Sequence, residues 1–137
     1  MRIMAVDYGD ARTGVAVSDM TKTLVGDTWV IHSKNMKEIS CQIAGEAMKR
    51  DVSCIVVGYP KNMDGSIGFR AKKSERFVEA LRLLVDIEIK LWDERLTTVS
   101  ANRVLSDVGK RGKKRKNTVD AVAAAIILES YLDALMF

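Results

Sequence analysis

Short apolar runs separated by turn residues make up much of the first sixty positions and predict strands. Residues 2–8 and 14–18 read as the two strands of a β-hairpin, and a third strand is expected at 28–32. The uninterrupted apolar run at 53–58 is typical of a central strand that is covered on both faces. Alternating positions at 86–92 indicate a fifth strand.

Apolar residues at helical spacing predict four helices between and after these strands. The first follows a capping-box pattern at Asn35 and has Ile39, Ile43 and Ala47 on one face. The second carries Phe69, Phe77, Ala80, Leu81 and Leu84. A third helix is expected from Thr97 or Thr98 to about Val108, and a fourth from Asn117 or Thr118 nearly to the end.

The order of these elements is β-β-β-α-β-α-β-α-α. A hairpin at the start followed by β-α-β crossovers predicts an α/β protein with a five-stranded mixed sheet and helices on both faces. That arrangement is the ribonuclease H-like fold. At 137 residues with a hydrophobic fraction of 47%, the chain is expected to form a single domain over residues 1–137.

Composition excludes several classes of function. Cys41 and Cys54 have no metal-binding spacing and are predicted to be small core residues, and His32 is the only histidine, so a zinc site is not expected. The chain begins with a strand pattern, and its longest apolar run, 121–128, is too short for a bilayer. We therefore expect a cytoplasmic protein with no membrane role. The net charge of +4 fits a polyanionic partner, although an ordinary soluble basic protein would look the same.

Three acidic residues stand where secondary-structure elements are predicted to end or begin. Asp7 ends the first strand, Glu94 follows the fifth, and Asp120 opens the last helix. If they converge, their repulsion would favour a hard divalent cation, Mg²⁺ or Mn²⁺, which suits phosphodiester hydrolysis. The alanines at 121 and 123–125 would let the last helix approach the sheet closely. Each acid also has a structural alternative: a turn cap for Asp7, an ion pair with Arg95 or a lysine for Glu94, and a helix-dipole contact for Asp120.

Basic residues mark candidate contacts with nucleic acid. The loop at 110–116 is predicted to stay extended until phosphates neutralise it, or else to be a plain solvated connection. Further candidates lie in the first hairpin, after the central strand and after the fifth strand. The full set of candidates is Arg12, Lys61, Asn62, Arg95, Lys110, Arg111, Lys113, Lys114, Arg115 and Lys116. Trp29 and Trp92 alternate with apolar strand residues and are predicted to belong to the core.

Four motifs in order resemble the YqgF family of pre-16S rRNA nucleases, which are related to the Holliday-junction resolvase RuvC. They are Asp7-Tyr-Gly with Arg12 and Gly14-Val-Ala-Val-Ser-Asp, then Val57-Gly-Tyr-Pro-Lys-Asn-Met-Asp-Gly-Ser, Asp93-Glu-Arg-Leu-Thr-Thr-Val, and the segment from Val119 to Leu132. The resemblance covers essentially the whole chain. It implies that Asp7, Glu94 and Asp120 are the catalytic, metal-binding acids, and that the substrate is precursor rRNA or, alternatively, branched DNA.

The chain also departs from the related resolvases. RuvC-type enzymes carry a fourth carboxylate one turn along the last helix, where this chain has Ala123 and Ala124, so Asp93 is the alternative donor. Two other classes stay open: an ATP-binding domain like those of actin and Hsp70, and a catalytically silent RNA-binding assembly factor. The protein is expected to act as a monomer or a homodimer.

Overall fold

Five strands form one sheet in the computed structural model, which describes the backbone of residues 1–97 and 115–136 and the side chains of residues 1–95 and 121–135. The strands are β1 (Arg2–Asp7), β2 (Arg12–Ser18), β3 (Val25–His32), β4 (Val52–Tyr59) and β5 (Glu88–Asp93). Their spatial order is β3-β2-β1-β4-β5. The hairpin strands pair antiparallel, whereas β1, β4 and β5 pair parallel, so the predicted mixed sheet is confirmed.

Helices cover both faces of this sheet, as predicted. The helices α1 (Met36–Lys49) and α2 (Phe69–Arg82) pack on one face, and α3 (Arg115–Met136) packs on the other. A short 3-10 helix, Glu94–Thr97, follows β5 directly. Because β4 lies between β1 and β5 under both layers, its side chains from Cys54 to Tyr59 are buried.

The helical periodicity identified most of the buried face correctly. Ile39, Ile43 and Ala47 are buried, as are Phe77 and Leu81. The prediction was wrong for Phe69, the exposed first residue of α2, and for Leu84, which is exposed two residues beyond its last residue. A residue at a helix end has no neighbouring turn on one side to cover it, so periodicity alone overestimates its burial.

Some local details also differ from the prediction. The Asn35 side chain accepts a hydrogen bond from the Glu38 backbone N–H, but Glu38 itself accepts from Ser33, so only half of the capping box forms. The helix α3 begins at Arg115, earlier than predicted, which takes Arg115 and Lys116 out of the basic loop and places Asp120 beyond the first helical turn. The helix predicted from Thr97 or Thr98 to about Val108 lies outside the described residues.

The remaining compositional predictions have mixed outcomes. Cys54 is buried as expected, whereas Cys41 is exposed, so its assignment to the core was wrong. Trp29 and Trp92 pack against the core from partly exposed positions. Within the described residues, no helix is both long and apolar enough to cross a membrane.

Candidate active site

The parallel strands bring two of the three predicted acids to one edge of the sheet. Asp7 is the last residue of β1, and Glu94 is the first residue after β5. Since β1, β4 and β5 run in the same direction, their carboxyl ends meet at this edge, where open α/β sheets bind ligands. The fold therefore joins side chains that lie far apart in the sequence.

The carboxyl groups of Asp7 and Glu94 form a hydrogen bond with each other. Two carboxyl groups can do so only when one of them carries a proton. Burial raises the pKa of Glu94, and the charge of Asp93 raises it further, whereas the Asp7 hydrogen bond and the positive charge of Arg70 act in the opposite direction. Burial is the largest of these effects, so the net pKa of Glu94 is raised.

Gly58 makes room for Glu94. A Cβ atom at this β4 position would lie 2.5 Å from Glu94 Oε1 and 2.6 Å from Ile127 Cδ1. The side chains of Glu94 and of Ile127 on α3 thus both approach the backbone of β4 at Gly58. Ala124 and Ala125 are buried on the same side of the sheet, as the prediction of close helix-to-sheet packing required.

Two contacts of the structure bear on the alternative roles considered for Asp7 and Glu94. The Gly9 N–H donates to the Thr13 hydroxyl at 3.4 Å, so the tight turn after β1 has its own hydrogen bond. Arg95 forms its ion pair with Asp93, through Nη2 at 2.6 Å and Nε at 2.9 Å. This contact holds the pKa of Asp93 below its usual range and occupies the carboxylate that was the alternative metal donor.

The residues that are predicted to contact nucleic acid and have described side chains lie at the same edge but have different surroundings. Arg12 begins β2 beside the turn, and Lys61 follows β4 with its Nζ 5.5 Å from the centre of the Tyr59 ring. Asn62 is engaged in the loop itself: its side-chain amide donates to Ser66 Oγ, and its backbone carbonyl accepts from the Gly65 N–H. We therefore assign Asn62 a role in shaping the loop, and Arg95 one in binding Asp93.

Seven of the predicted site residues lie outside the described side chains. Asp120, Arg115 and Lys116 have described backbones only, and Lys110, Arg111, Lys113 and Lys114 lie outside the described residues. Among the described side chains, no three histidine, cysteine or acidic residues group as a metal site. Asp7 and Glu94 supply two hard oxygen donors of the type that Mg²⁺ and Mn²⁺ prefer.

Two basic residues near the acids were missed by the sequence interpretation. Arg70, in the first turn of α2, lowers the pKa of Glu94 through its charge, and Lys73 binds Asp10 in the turn between β1 and β2. Both belong to the run Phe69-Arg-Ala-Lys-Lys-Ser-Glu-Arg76, which has four basic residues and one acid. This excess of positive charge was the signal that could have identified Arg70 and Lys73. It was overlooked because the segment at 110–116 is more strongly basic.

Comparisons with known proteins identify relatives of this chain. A family model described as "RuvX: Holliday junction resolvase" matches residues 1–134. A Halothermothrix orenii protein named "Putative pre-16S rRNA nuclease" is 48% identical over 133 residues, which are 97% of this chain and 95% of that protein. A Thermoanaerobacter pseudethanolicus protein of the same name is 45% identical over 138 residues, with 98% and 97% covered.

A solved structure has a similar fold. T. thermophilus RuvC in complex with a Holliday junction substrate superposes with a TM-score of 0.69 over 99% of this chain and 96% of that chain. The sequences of the two are only 14% identical, so this likeness concerns the fold alone. The predicted ribonuclease H-like fold is confirmed.

Proposed function

The chain belongs to the RuvX (YqgF) family, and from that premise we propose that it is a metal-dependent nuclease that hydrolyses phosphodiester bonds in precursor rRNA. The hydrogen-bonded pair of Asp7 and Glu94 is the observation that carries the proposal. Two carboxyl groups held together at the carboxyl edge of a sheet destabilise each other when both are ionised. A divalent cation removes that repulsion, so the pair suits metal binding.

Asp120 is the proposed third ligand. It precedes Ala124 and Ile127 by four and seven positions on α3, a spacing that places the three residues on one face of a helix. Ala124 is fully buried against the sheet, and Ile127 packs beside Glu94. This register favours Asp120 over Asp93 as the third carboxylate, since Asp93 is already paired with Arg95.

The protein would position the cation, and the cation would supply the catalytic chemistry. A bound Mg²⁺ or Mn²⁺ would supply Lewis-acid catalysis, activating water and neutralising charge on the leaving oxygen. Asp7, Glu94 and Asp120 would hold the cation, and the close approach of Glu94 to the Gly58 backbone would restrict the position of one ligand. The positive charges of Arg70 and Lys61 at the same edge would attract the phosphate backbone.

The relatives' name favours precursor rRNA as the substrate, and the family description favours a second candidate, branched DNA. Processing of rRNA precursors occurs in the bacterial cytoplasm, so the proposal includes that compartment. Because the family model spans residues 1–134, we propose one nuclease domain rather than half of a two-domain ATPase.

The decisive experiment incubates the purified protein with a 5′ fragment of precursor 16S rRNA and, separately, with a four-way DNA junction. Each reaction contains Mg²⁺, Mn²⁺ or a chelator, and Asp7→Asn is compared with Asp86→Asn. Asp86 is an exposed acid before β5, at the opposite edge of the sheet from Glu94, so its replacement controls for charge.

We expect metal-dependent cleavage of the RNA that Asp7→Asn abolishes and Asp86→Asn retains. Cleavage of the junction but not of the RNA would make branched DNA the proposed substrate. Activity that survives chelation would refute the metal mechanism, and inactivity on both substrates would favour an RNA-binding assembly factor.

A further inference from the structure

An exposed aromatic ring stands directly before Arg70, whose charge acts on Glu94. Phe69, the first residue of α2, is 68% exposed, although phenylalanine is among the side chains most often buried. Met63 and Ile67, in the loop that leads to it, are also exposed. Exposed apolar residues are common singly, so the meaning of this group depends on the charges around it.

Basic residues outnumber acidic ones on the exposed side of the helix. Lys72, Lys73 and Arg76 follow Phe69 by three, four and seven positions, which places all four on one face of α2, called here the α2 basic face. The buried residues Ala71, Ser74, Phe77, Val78 and Leu81 form the opposite face. Lys73 Nζ lies 4.5 Å from the centre of the Phe69 ring, so the ring and the cation are presented together.

Two of the acids near this face have partners, whereas Glu79, three positions after Arg76, is exposed. Asp10 binds Lys73, and Glu75 accepts a hydrogen bond from the Tyr59 hydroxyl. Lys72 and Arg76 are exposed to solvent. An apolar ring flanked by cations complements a polyanion that carries aromatic bases better than it complements an apolar protein surface.

Arg70 connects this face to the proposed catalytic acids. It follows Phe69 directly, and its positive charge lowers the pKa values of both Glu94 and Asp10. A nucleic-acid strand bound to the α2 basic face would therefore lie close to a cation that acts on Glu94.

We propose that the α2 basic face binds the unpaired nucleotides next to the cleaved bond, with a base stacked on Phe69 and phosphates on Lys72 and Arg76. The bases of a duplex stack on each other and hide their faces, so a protruding ring can stack only on a base that is unpaired. This inference rests on the proposed nuclease function and specifies its substrate as single-stranded near the cut.

Binding of the full chain to a labelled single-stranded RNA, and to the same RNA paired with its complement, tests the proposal. Fluorescence anisotropy is measured in a chelator, so that binding is separated from cleavage. Phe69→Ala should weaken single-strand binding about five-fold or more, with little effect on the duplex. Phe69→Trp should retain binding. Lys72→Gln with Arg76→Gln should flatten the dependence of log K on log salt by about 0.7 for each phosphate that the protein no longer neutralises.

Matched controls lie at the other end of the same helix. Leu83→Ala removes an apolar side chain that is 87% exposed, and Arg82→Gln removes a charge, both far from the acids. The proposal is overturned if the Phe69→Ala and Leu83→Ala proteins bind single-stranded RNA equally well. It is also overturned if Phe69→Ala weakens binding to the duplex as much as binding to the single strand. If binding depends on Phe69 but the protein cleaves neither RNA nor DNA, the nuclease proposal is refuted and the binding surface is supported. If metal-dependent cleavage is intact but binding does not depend on Phe69, the nuclease proposal stands and the binding surface is refuted.

Discussion

Glu94 Oε1 occupies the space next to the Gly58 backbone, 2.5 Å from where a Cβ atom would stand. The catalytic candidate after β5 is therefore positioned by the absence of a side chain on β4, its neighbour in the sheet. Ile127 closes the same space from α3. Three elements thus determine where one carboxyl group lies, and a single methyl group is enough to move it.

Gly58→Ala should reduce activity more than stability. The methyl group would push against the ends of two flexible side chains, Glu94 and Ile127, so we expect a decrease of about 1 kcal/mol in the free energy of unfolding. Displacement of Glu94 by about 1 Å should lower cleavage by roughly 100-fold. Urea unfolding and single-turnover cleavage measure the two effects.

The matched control is Gly45→Ala in α1. A Cβ atom there meets nothing within 4 Å, and the position is in a helix interior, so the change should stabilise by about 0.5–1 kcal/mol and leave cleavage intact. Normal cleavage by Gly58→Ala would show that Glu94 does not depend on this packing.

Asp7→Asn should abolish cleavage without weakening the metal-free fold. Replacing one of two adjacent carboxyl groups removes the repulsion that arises when both are ionised, so the mutant should be as stable as wild type or more stable. Mg²⁺ should raise the melting temperature of wild type but not of the mutant, because only the wild-type folded state binds it. Thermal melts with and without metal measure this. A mutant destabilised by about 1 kcal/mol or more, with its Mg²⁺ response intact, would mean that Asp7 serves the fold instead.

The pH dependence of stability should reveal the raised pKa of Glu94. The folded state holds this proton more tightly than the unfolded state, so the group stabilises the fold fully below its ordinary pKa of 4.5. That contribution disappears as the pH rises from 4.5 through the raised folded-state pKa. Urea unfolding in a chelator should therefore show stability declining over this window in wild type, and a smaller decline in Glu94→Gln. Identical pH profiles for the two proteins would contradict the assignment.

The basic segment at 110–116 should contribute sequence-independent affinity for nucleic acid. Replacing its lysines and arginines with serine should weaken binding and flatten the salt dependence of log K by about 0.7–0.9 for each phosphate that is no longer neutralised. Arg115 and Lys116 begin α3, so a variant restricted to positions 110–114 separates the segment from the helix. An unchanged salt slope would identify the segment as a solvated connection.

Local pattern determined most of the elements of this protein. Alternation and apolar runs predicted the five strands, and the buried run of β4 was correctly read as central. The spacing of Ile39, Ile43 and Ala47 predicted the buried face of α1. These predictions succeed because strand and helix geometry repeat every two and about 3.6 residues, so burial leaves a regular trace in the sequence.

Contacts between distant segments had to come from the tertiary structure. The hydrogen bond between Asp7 and Glu94, and the choice of Asp93 rather than Glu94 as the partner of Arg95, leave no trace in local periodicity. The exposure of Phe69 follows from its place at a helix end beside an open edge. The sequence alone predicted Asp7 and Glu94 as candidate site residues, because a charge at a strand end is visible locally. Only the parallel pairing of β1, β4 and β5 decided which carboxyl groups meet, because distances across a sheet depend on strand order and not on separation along the chain.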